Sequence, residues 1–125
     1  MIIGVGIDIV EVPRVQRLYD KFGQRFLTKI LRQTETDYCL SCAVPPHAIA
    51  GRFAAKEAVA KSFGTGIGTV MGWHDIEITR AESGAPVVTL YGKGRALAEA
   101  RGVKKVHISL THTQGYAVAV AIIEG

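Results

Sequence analysis

An apolar segment that contains a single carboxylate opens the chain and sets the strongest limit on its fold. Isoleucines and valines alternate with Gly4, Gly6 and Asp8, which predicts a strand over residues 2–10 with these three residues on one face. A carboxylate in an apolar strand is unfavourable unless a cation or hydrogen bonds compensate it. We therefore expect a positive group near Asp8, and the two glycines leave room for a ligand to approach the backbone.

The remaining periodicity predicts helices followed by two hairpins separated by a short helix. The predicted elements are helices from Pro13 onward with a break at Gly23, a helix from Glu35 to about Ala43 capped by Thr34, a long helix from His47 to Phe63, a hairpin of 76–79 with 87–90, a helix from Lys93 to Arg101, and a hairpin of 106–110 with 116–123. This order predicts an α+β fold with a largely antiparallel sheet. A chain of 125 residues fits a single domain, residues 1–125.

The net charge and the absence of targeting signals limit the kinds of partner and the cellular location that we expect. Fifteen basic and eleven acidic residues give a net charge of +4, which favours an anionic partner such as a phosphorylated cofactor, an acidic protein or a nucleic acid. The N-terminus lacks the basic region of a secretory signal, and the uncharged stretch 106–123 is too polar to span a membrane. We expect a cytoplasmic protein without a membrane partner.

Cys39 and Cys42 form a C-x-x-C motif. No second C-x-x-C exists and the segment is helical in pattern, so neither a zinc site nor a redox pair has the sequence context it needs. We expect both cysteines to pack as small apolar residues.

A second carboxylate, Glu57, lies at the border of the apolar stripe of the long helix. It follows Phe53 by four residues, and Phe53 follows Ile49 by four. One interpretation is a surface pair between Glu57 and Lys61, worth about 0.2–0.5 kcal/mol. The other is a metal ligand, because Mg²⁺ is commonly held by one or two carboxylates together with substrate phosphate oxygens.

A glycine-rich loop, 64–68, follows this helix directly. Exposed amides of Gly64 and Gly66 could hold phosphate oxygens. The loop lacks the Gly-Lys-Ser/Thr of a nucleoside triphosphate loop and follows a helix instead of preceding one. The glycines could equally serve only to end the helix.

Residues 14–29 form a basic helical surface. Five cations recur at helical spacing with Asp20 as the only acid among them: Arg14, Arg17, Lys21, Arg25 and Lys29. This bias favours an acidic partner over an ordinary solvated face. Phe22 and Phe26 are predicted to face the core, which argues against RNA because RNA binding uses exposed aromatic side chains.

Three motifs together resemble bacterial holo-[acyl-carrier-protein] synthases, the short class of phosphopantetheinyl transferases. They are Gly4 to Glu11, Arg52 to Ala58 with Lys61 and Phe63 to Gly66, and Ser109 to His112. The resemblance spans the chain and implies transfer of phosphopantetheine from coenzyme A to a serine of apo acyl carrier protein, with release of adenosine 3′,5′-bisphosphate.

The resemblance also implies roles for individual residues. Asp8 and Glu57 would hold Mg²⁺ against the diphosphate, and Lys61 would stabilise the leaving group. Contacts to coenzyme A are implied for Arg52, Lys61, Gly64, Gly66, Pro86, His112 and Thr113. The carrier protein would dock on Arg14, Arg17, Lys21 and Arg25, and the chain would form a homotrimer with its sites between subunits.

Some alternatives stay open at the level of sequence. The base that takes the serine proton could be Glu57, a water at the metal, or an acid such as Glu35. Two other functions are a different Mg²⁺-dependent enzyme acting on a nucleotide phosphate, and a non-catalytic basic module that binds RNA or an acidic protein. The preferred interpretation has no nucleic-acid partner.

Overall fold

The computed structural model describes residues 1–125, which form five strands, five α-helices and one short 3-10 helix. The elements in chain order are β1 (Ile2–Glu11), α1 (Val12–Phe22), α2 (Gln24–Ile30), α3 (Gln33–Ser41), α4 (Pro45–Ser62), a 3-10 turn (Trp73–Asp75), β2 (Ile76–Arg80), β3 (Pro86–Leu90), α5 (Gly92–Ala100), β4 (Lys105–His112) and β5 (Tyr116–Glu124). All strand pairs are antiparallel, so the predicted α+β class is confirmed.

The strands form two separate sheets. The larger sheet has the order β1-β5-β4, and β2 with β3 forms a two-stranded hairpin. In the larger sheet Asp8 pairs with Ala119 of β5, and His112 pairs with Ala117 of the same strand. Asp8 and His112 therefore lie on opposite edge strands, about 10 Å apart across the sheet.

Helix α4 lies directly on β1, and this contact explains the two glycines of the strand. A Cβ at Gly4 would lie 1.9 Å from the carbonyl oxygen of Ser62, and one at Gly6 would lie 2.0 Å from that of Ala58. Both neighbours are helix backbone, which cannot move aside as a side chain can. The expectation that these glycines admit a ligand is wrong: they admit the helix.

A buried ion pair joins α4 to its surroundings. Lys56 Nζ, which is fully buried, donates to Glu35 Oε1 at 2.5 Å and to the carbonyl oxygens of Ile30 at 2.8 Å and Trp73 at 3.0 Å. Glu35 also accepts from the backbone amides of Arg32 and Ile78, each at 2.8 Å. Burial lowers the pKa of Lys56, and the adjacent Glu35 carboxylate opposes that shift.

Two predicted helix starts differ from the structure. Helix α3 begins at Gln33, where Glu35 accepts the Arg32 amide, and the hydroxyl of Thr34 instead donates to Glu77 at 2.6 Å. Helix α4 begins at Pro45 and not at His47. Proline is tolerated there because amides of the first turn have no acceptor within the helix.

Candidate active site

Asp8 meets the cation that the sequence predicts, and that cation is Lys61. Lys61 Nζ donates to Asp8 Oδ1 at 3.0 Å and to the carbonyl oxygen of Ile7 at 3.2 Å. The Asp8 side chain is 15% exposed and that of Lys61 is 48% exposed. Lys61 thus pairs with the strand carboxylate across 53 residues and not with Glu57 on its own helix, so the surface i,i+4 pair is not what the structure contains.

Glu57 is the second carboxylate of this cluster. Its pKa is raised, first by burial and then by the negative charge of Asp8, while Lys61 lowers it. Two carboxylates that repel each other beside one lysine form a site with surplus negative charge. Because hard divalent cations prefer carboxylate oxygens, this donor set fits Mg²⁺. We define Asp8, Glu57 and Lys61 as the acidic cluster.

The glycine-rich loop closes the helix next to this cluster. Gly64 and Gly66 have φ values of 76° and 62°, which favour glycine. The amides of Gly64, Thr65, Gly66 and Gly68 donate to the carbonyl oxygens of Lys61, Ala60, Ala60 and Met71. The expectation of free amides is therefore wrong for Gly64 and Gly66, because they donate to the carbonyls of Lys61 and Ala60 at the helix end. A phosphate here would meet a surface without side chains at Gly64 and Gly66.

Arg52 lies in a separate pocket on the other side of α4. Five residues separate it from Glu57, which places the two side chains about 140° apart around the helix axis. Arg52 is 6% exposed, its Nε has no hydrogen-bond acceptor, and its Cζ lies 4.4 Å from the ring centroid of Tyr38. An arginine that is buried with a free donor and no carboxylate partner suits an anionic ligand.

His112 contributes to the same pocket from the end of β4. Its ring centroid lies 5.2 Å from that of His47 on α4, and both rings line the pocket with Arg52 and Arg80. We define Tyr38, His47, Arg52, Arg80 and His112 as the basic pocket. It contains no Asp or Glu.

Thr113 and Pro86 flank the basic pocket without lining it. The Thr113 hydroxyl accepts from the amides of Gly115 and Tyr116 at 3.3 and 3.1 Å, so it stabilises the β4-β5 turn. Pro86 begins β3 opposite Arg80. Their contacts with coenzyme A stay predictions.

The acidic cluster and the basic pocket do not meet within one chain. Asp8 lies on β1 and His112 on β4, the two edges of the larger sheet, with β5 between them. The sequence predicts all these residues as one site, and the topology shows that within one chain they form two separate groups.

A groove on α1 and α2 carries the predicted basic surface. Its volume is about 390 Å³, and its lining combines apolar side chains, including Leu18, Phe22 and Trp73, with Arg14, Arg25 and Lys29. Arg17 and Lys21 are exposed on the same helix, outside the groove. The prediction that Phe22 faces the core is wrong: it is 41% exposed, and Lys21 Nζ lies 5.3 Å from its ring centroid.

Glu35, one of the predicted bases, lies in the core. It is 1% exposed and holds Lys56 and two backbone amides, so it cannot reach a substrate hydroxyl. That assignment is wrong, because periodicity alone places Glu35 at a helix start without showing what covers it.

Cys39 is also buried, and burial raises the pKa of its thiol to about 11.

Three residues of the basic pocket were not predicted from the sequence. Tyr38, His47 and Arg80 come from α3, α4 and β2, and none belongs to a recognisable motif. The one usable signal is that Arg80 is a cation directly after the predicted strand of residues 76–79. No helix in the structure has the length and apolar character that crossing a bilayer requires.

Comparison with known protein families defines the class of protein to which the chain belongs. The family described as the 4′-phosphopantetheinyl transferase superfamily matches residues 4–121, and the chain belongs to this superfamily. It is 49% identical over 123 residues to the holo-[acyl-carrier-protein] synthase of Natranaerobius thermophilus, covering 98% of both chains. It is 45% identical over 124 residues to that of Koribacter versatilis, covering 99% of both. Within the superfamily, the chain is a member of the holo-[acyl-carrier-protein] synthase family.

A solved structure of the same family matches the whole fold. The synthase of Neisseria meningitidis has a TM-score of 0.94 at 34% identity and covers both chains completely. The synthase of Helicobacter pylori, solved in complex with coenzyme A, has a TM-score of 0.86 at 31% identity and covers 96% of this chain and 99% of that one. The predictions of family and of enzyme class are confirmed.

Proposed function

We propose that residues 1–125 act as one transferase domain that moves the phosphopantetheine group of coenzyme A onto a serine of apo acyl carrier protein. The observation that carries this proposal is the pair of half-buried carboxylates, Asp8 and Glu57, held beside Lys61 in a chain of this family. A holo-[acyl-carrier-protein] synthase of the same fold binds coenzyme A.

The reaction exchanges one oxygen–phosphorus bond for another. The serine oxygen attacks the phosphorus nearest the pantetheine arm, the bond from that phosphorus to the bridging oxygen breaks, and adenosine 3′,5′-bisphosphate leaves. Negative charge develops on the departing phosphate, and the serine proton goes to a base. Positioning and charge stabilisation dominate this type of transfer.

The acidic cluster supplies groups that would stabilise the developing charge and accept the serine proton. Asp8 and Glu57 would hold Mg²⁺, which when bound supplies positive charge against the diphosphate. The ammonium group of Lys61, half exposed beside Asp8, is placed to neutralise phosphate charge. Mg²⁺ bound there would oppose the burial that raises the pKa of Glu57, so both Glu57 and a water at the metal are our candidates for the base.

The groove of α1 and α2 is our candidate for the carrier docking surface. Its apolar floor suits the apolar face of a helix, and Arg14, Arg25 and Lys29 at its rim suit acidic side chains on that helix. Arg17 and Lys21 extend the positive field beyond the groove, which would steer an acidic protein toward it. Arg25→Glu should raise the KM for carrier protein without changing the KM for coenzyme A.

We infer that the chain forms a homotrimer whose sites lie between subunits. The face of the larger sheet turned away from α4 is apolar and exposed: Val5, Ile7 and Ile9 are 58–62% exposed. Ile122, Val120 and Val118 pair with these three residues and point to the same face. Exposed apolar patches of this kind mark interfaces.

The cytoplasmic location expected from the sequence stays a prediction.

Mass spectrometry of the carrier tests the function directly. Apo carrier protein incubated with this chain, coenzyme A and Mg²⁺ should gain one phosphopantetheine on one serine. Asp8→Asn and Glu57→Gln should each abolish the adduct while retaining the circular dichroism spectrum of the folded chain. A folded wild-type chain that produces no adduct would refute the proposed function.

Subunit mixing tests the shared site. Asp8→Asn protein and Arg52→Gln protein should each be inactive, because each lacks one half of the site. After subunit exchange, roughly a quarter of the interfaces would combine two intact halves and restore activity. Mixing that restores nothing, although exchange is verified by native mass spectrometry, would place both halves in one subunit.

A further inference from the structure

The two cysteines of the C-x-x-C motif differ in their access to small molecules. Cys42 is partly exposed in the connection between α3 and α4, and it lines the same pocket as Arg52 and His112. Its thiol donates to the carbonyl oxygen of Tyr38 at 3.4 Å. Cys39, three residues earlier, is fully buried. A small molecule in the basic pocket therefore meets one thiol, that of Cys42.

The surroundings of Cys42 are positively charged. The pocket has a volume of about 320 Å³, and its lining includes Arg52 and Arg80 but no Asp or Glu. Arg52 is 6% exposed and its Nε has no acceptor, so the pocket contains a buried donor without a partner. A small molecule that brings negative charge and acceptor oxygens is therefore attracted to the space beside the Cys42 thiol.

Thiol–disulfide exchange is the reaction that such a thiol can undergo. Partly exposed thiols in electropositive surroundings are the ones that react in proteins. The sulfur of Cys42, as the thiolate, attacks one sulfur of a disulfide and forms a new sulfur–sulfur bond, while its proton goes to water. The old sulfur–sulfur bond breaks, and the second half leaves as a thiolate with the electron pair of that bond. The disulfide is itself the oxidant, and an added thiol reverses the step.

Cys39 cannot continue the reaction to an internal disulfide. That second step needs the thiolate of Cys39 to attack the sulfur of the modified Cys42. Cys39 is fully buried, and burial raises the pKa of its thiol to about 11, so its thiolate is scarce near neutral pH. The exchange therefore stops at a mixed disulfide on Cys42.

We propose that Cys42 is a modification site at which this chain forms a mixed disulfide with small disulfides that carry negative charge, and that the attached group fills the basic pocket. The modification goes beyond the transfer reaction, which uses no thiol of the chain. Its effect on transfer rests on the function proposed above, in which coenzyme A contacts Arg52 and His112: the attached anion occupies the space that the nucleotide needs.

Intact-mass spectrometry and two disulfide reagents test the modification. Wild-type protein and Cys39→Ala should each gain one thionitrobenzoate group from the dianionic 5,5′-dithiobis(2-nitrobenzoate), and Cys42→Ser should gain none. Rate constants for this reagent and for the neutral 4,4′-dithiodipyridine are each divided by the value for a free model thiol. The normalised rate for the dianion should be about tenfold the larger one.

The source of this preference is tested by charge. Arg80→Gln, which removes an exposed cation of the pocket, and high salt should each lower the preference severalfold, because both weaken the attraction of the anion. Arg95→Gln is the matched control, since it removes an exposed cation on α5 that pairs with Glu99 outside the pocket. Equal normalised rates for the two reagents would overturn the proposal. An adduct on Cys39, or an internal disulfide without an adduct, would also overturn it.

Calorimetry tests whether the attached group fills the pocket. The mixed disulfide should weaken binding of adenosine 3′,5′-bisphosphate at least about tenfold, and dithiothreitol should restore it. Treated Cys42→Ser should keep the affinity that it had before treatment. Unchanged affinity of the modified wild-type chain would overturn the claim that the group fills the pocket. If untreated wild-type protein transferred nothing to the carrier, the proposed function would fail, and the adduct and its charge preference would still decide the role of Cys42.

Discussion

Lys56→Met probes the buried ion pair that links the long helix α4 to the groove of α1 and α2. The substitution keeps the length of the side chain but removes the ammonium group, which donates to Glu35 and to the carbonyl oxygens of Ile30 and Trp73. The Glu35 carboxylate keeps the amides of Arg32 and Ile78 but loses its only cation. Both side chains are fully buried, so water cannot replace the lost partner.

The expected decrease in the free energy of unfolding follows from this geometry. Removing one member of a buried ion pair costs about 3–5 kcal/mol, because an uncompensated charge stays in the core. A typical domain is stable by about 5–15 kcal/mol, so Lys56→Met should remove a large share of the total. Glu35→Gln should cost a similar amount. The double variant leaves no unpaired charge, so its cost should be at least about 2 kcal/mol below the sum of the two single costs.

Urea unfolding followed by circular dichroism measures these free energies at a fixed protein concentration. Lys93→Met is the matched control, because Lys93 is exposed and makes a single hydrogen bond, to Thr69, at 3.1 Å. Its cost should stay within about 0.5 kcal/mol. A Lys56→Met cost as small as that of Lys93→Met, or costs of the two single variants that simply add, would refute the argument that the pair is charged and buried.

Three further predictions concern the site and its surroundings. Glu57→Gln should raise stability at pH 7 in the absence of divalent ions, because the raised pKa of Glu57 makes this group lower wild-type stability as pH rises from about 4.5 through that pKa. Thermal unfolding of both proteins against pH should show the difference in stability grow over this range, and a constant difference would contradict the raised pKa. Gly6→Ala should destabilise the chain by more than about 3 kcal/mol in urea, because its Cβ would lie 2.0 Å from the Ala58 carbonyl oxygen; a loss near zero would contradict the helix contact. Ile7→Asp on the outer sheet face should shift sedimentation toward the monomer and reduce transfer, and an unchanged oligomer would exclude this face as the interface.

Local pattern accounts for most of the elements and for part of the site. The alternation of residues 2–10 and the position of Gly23 predicted β1 and the break between α1 and α2, since strand period and helix breakers act over a few residues. Glu57 stood out at the border of an apolar stripe for the same reason. The pairing of Lys61 with Asp8 could not be predicted, because the nearer Glu57 satisfies the helical spacing equally well.

The predictions from sequence were wrong where elements distant in the chain decide whether a residue is buried. Glu35 lies in the first turn of α3 and is covered by α4 and β2, whereas Phe22, at the end of α1, is exposed in the groove. Gly4 and Gly6 indicated a close approach, and only the fold shows that the approaching group is a helix backbone. Periodicity describes a face of an element and not what packs against it.

The sequence by itself determined the class of fold, the family, and the carboxylates and cations available for chemistry, because these depend on residue type and spacing along one element. Tertiary structure alone decided which of those charges meet. The antiparallel order β1-β5-β4 puts Asp8 and His112 on opposite edges, and the close packing of α4 on β1 brings Glu57 and Lys61 to Asp8. Charges interact through space at distances that depend on strand order and helix packing. A local sequence pattern predicts neither strand order nor helix packing.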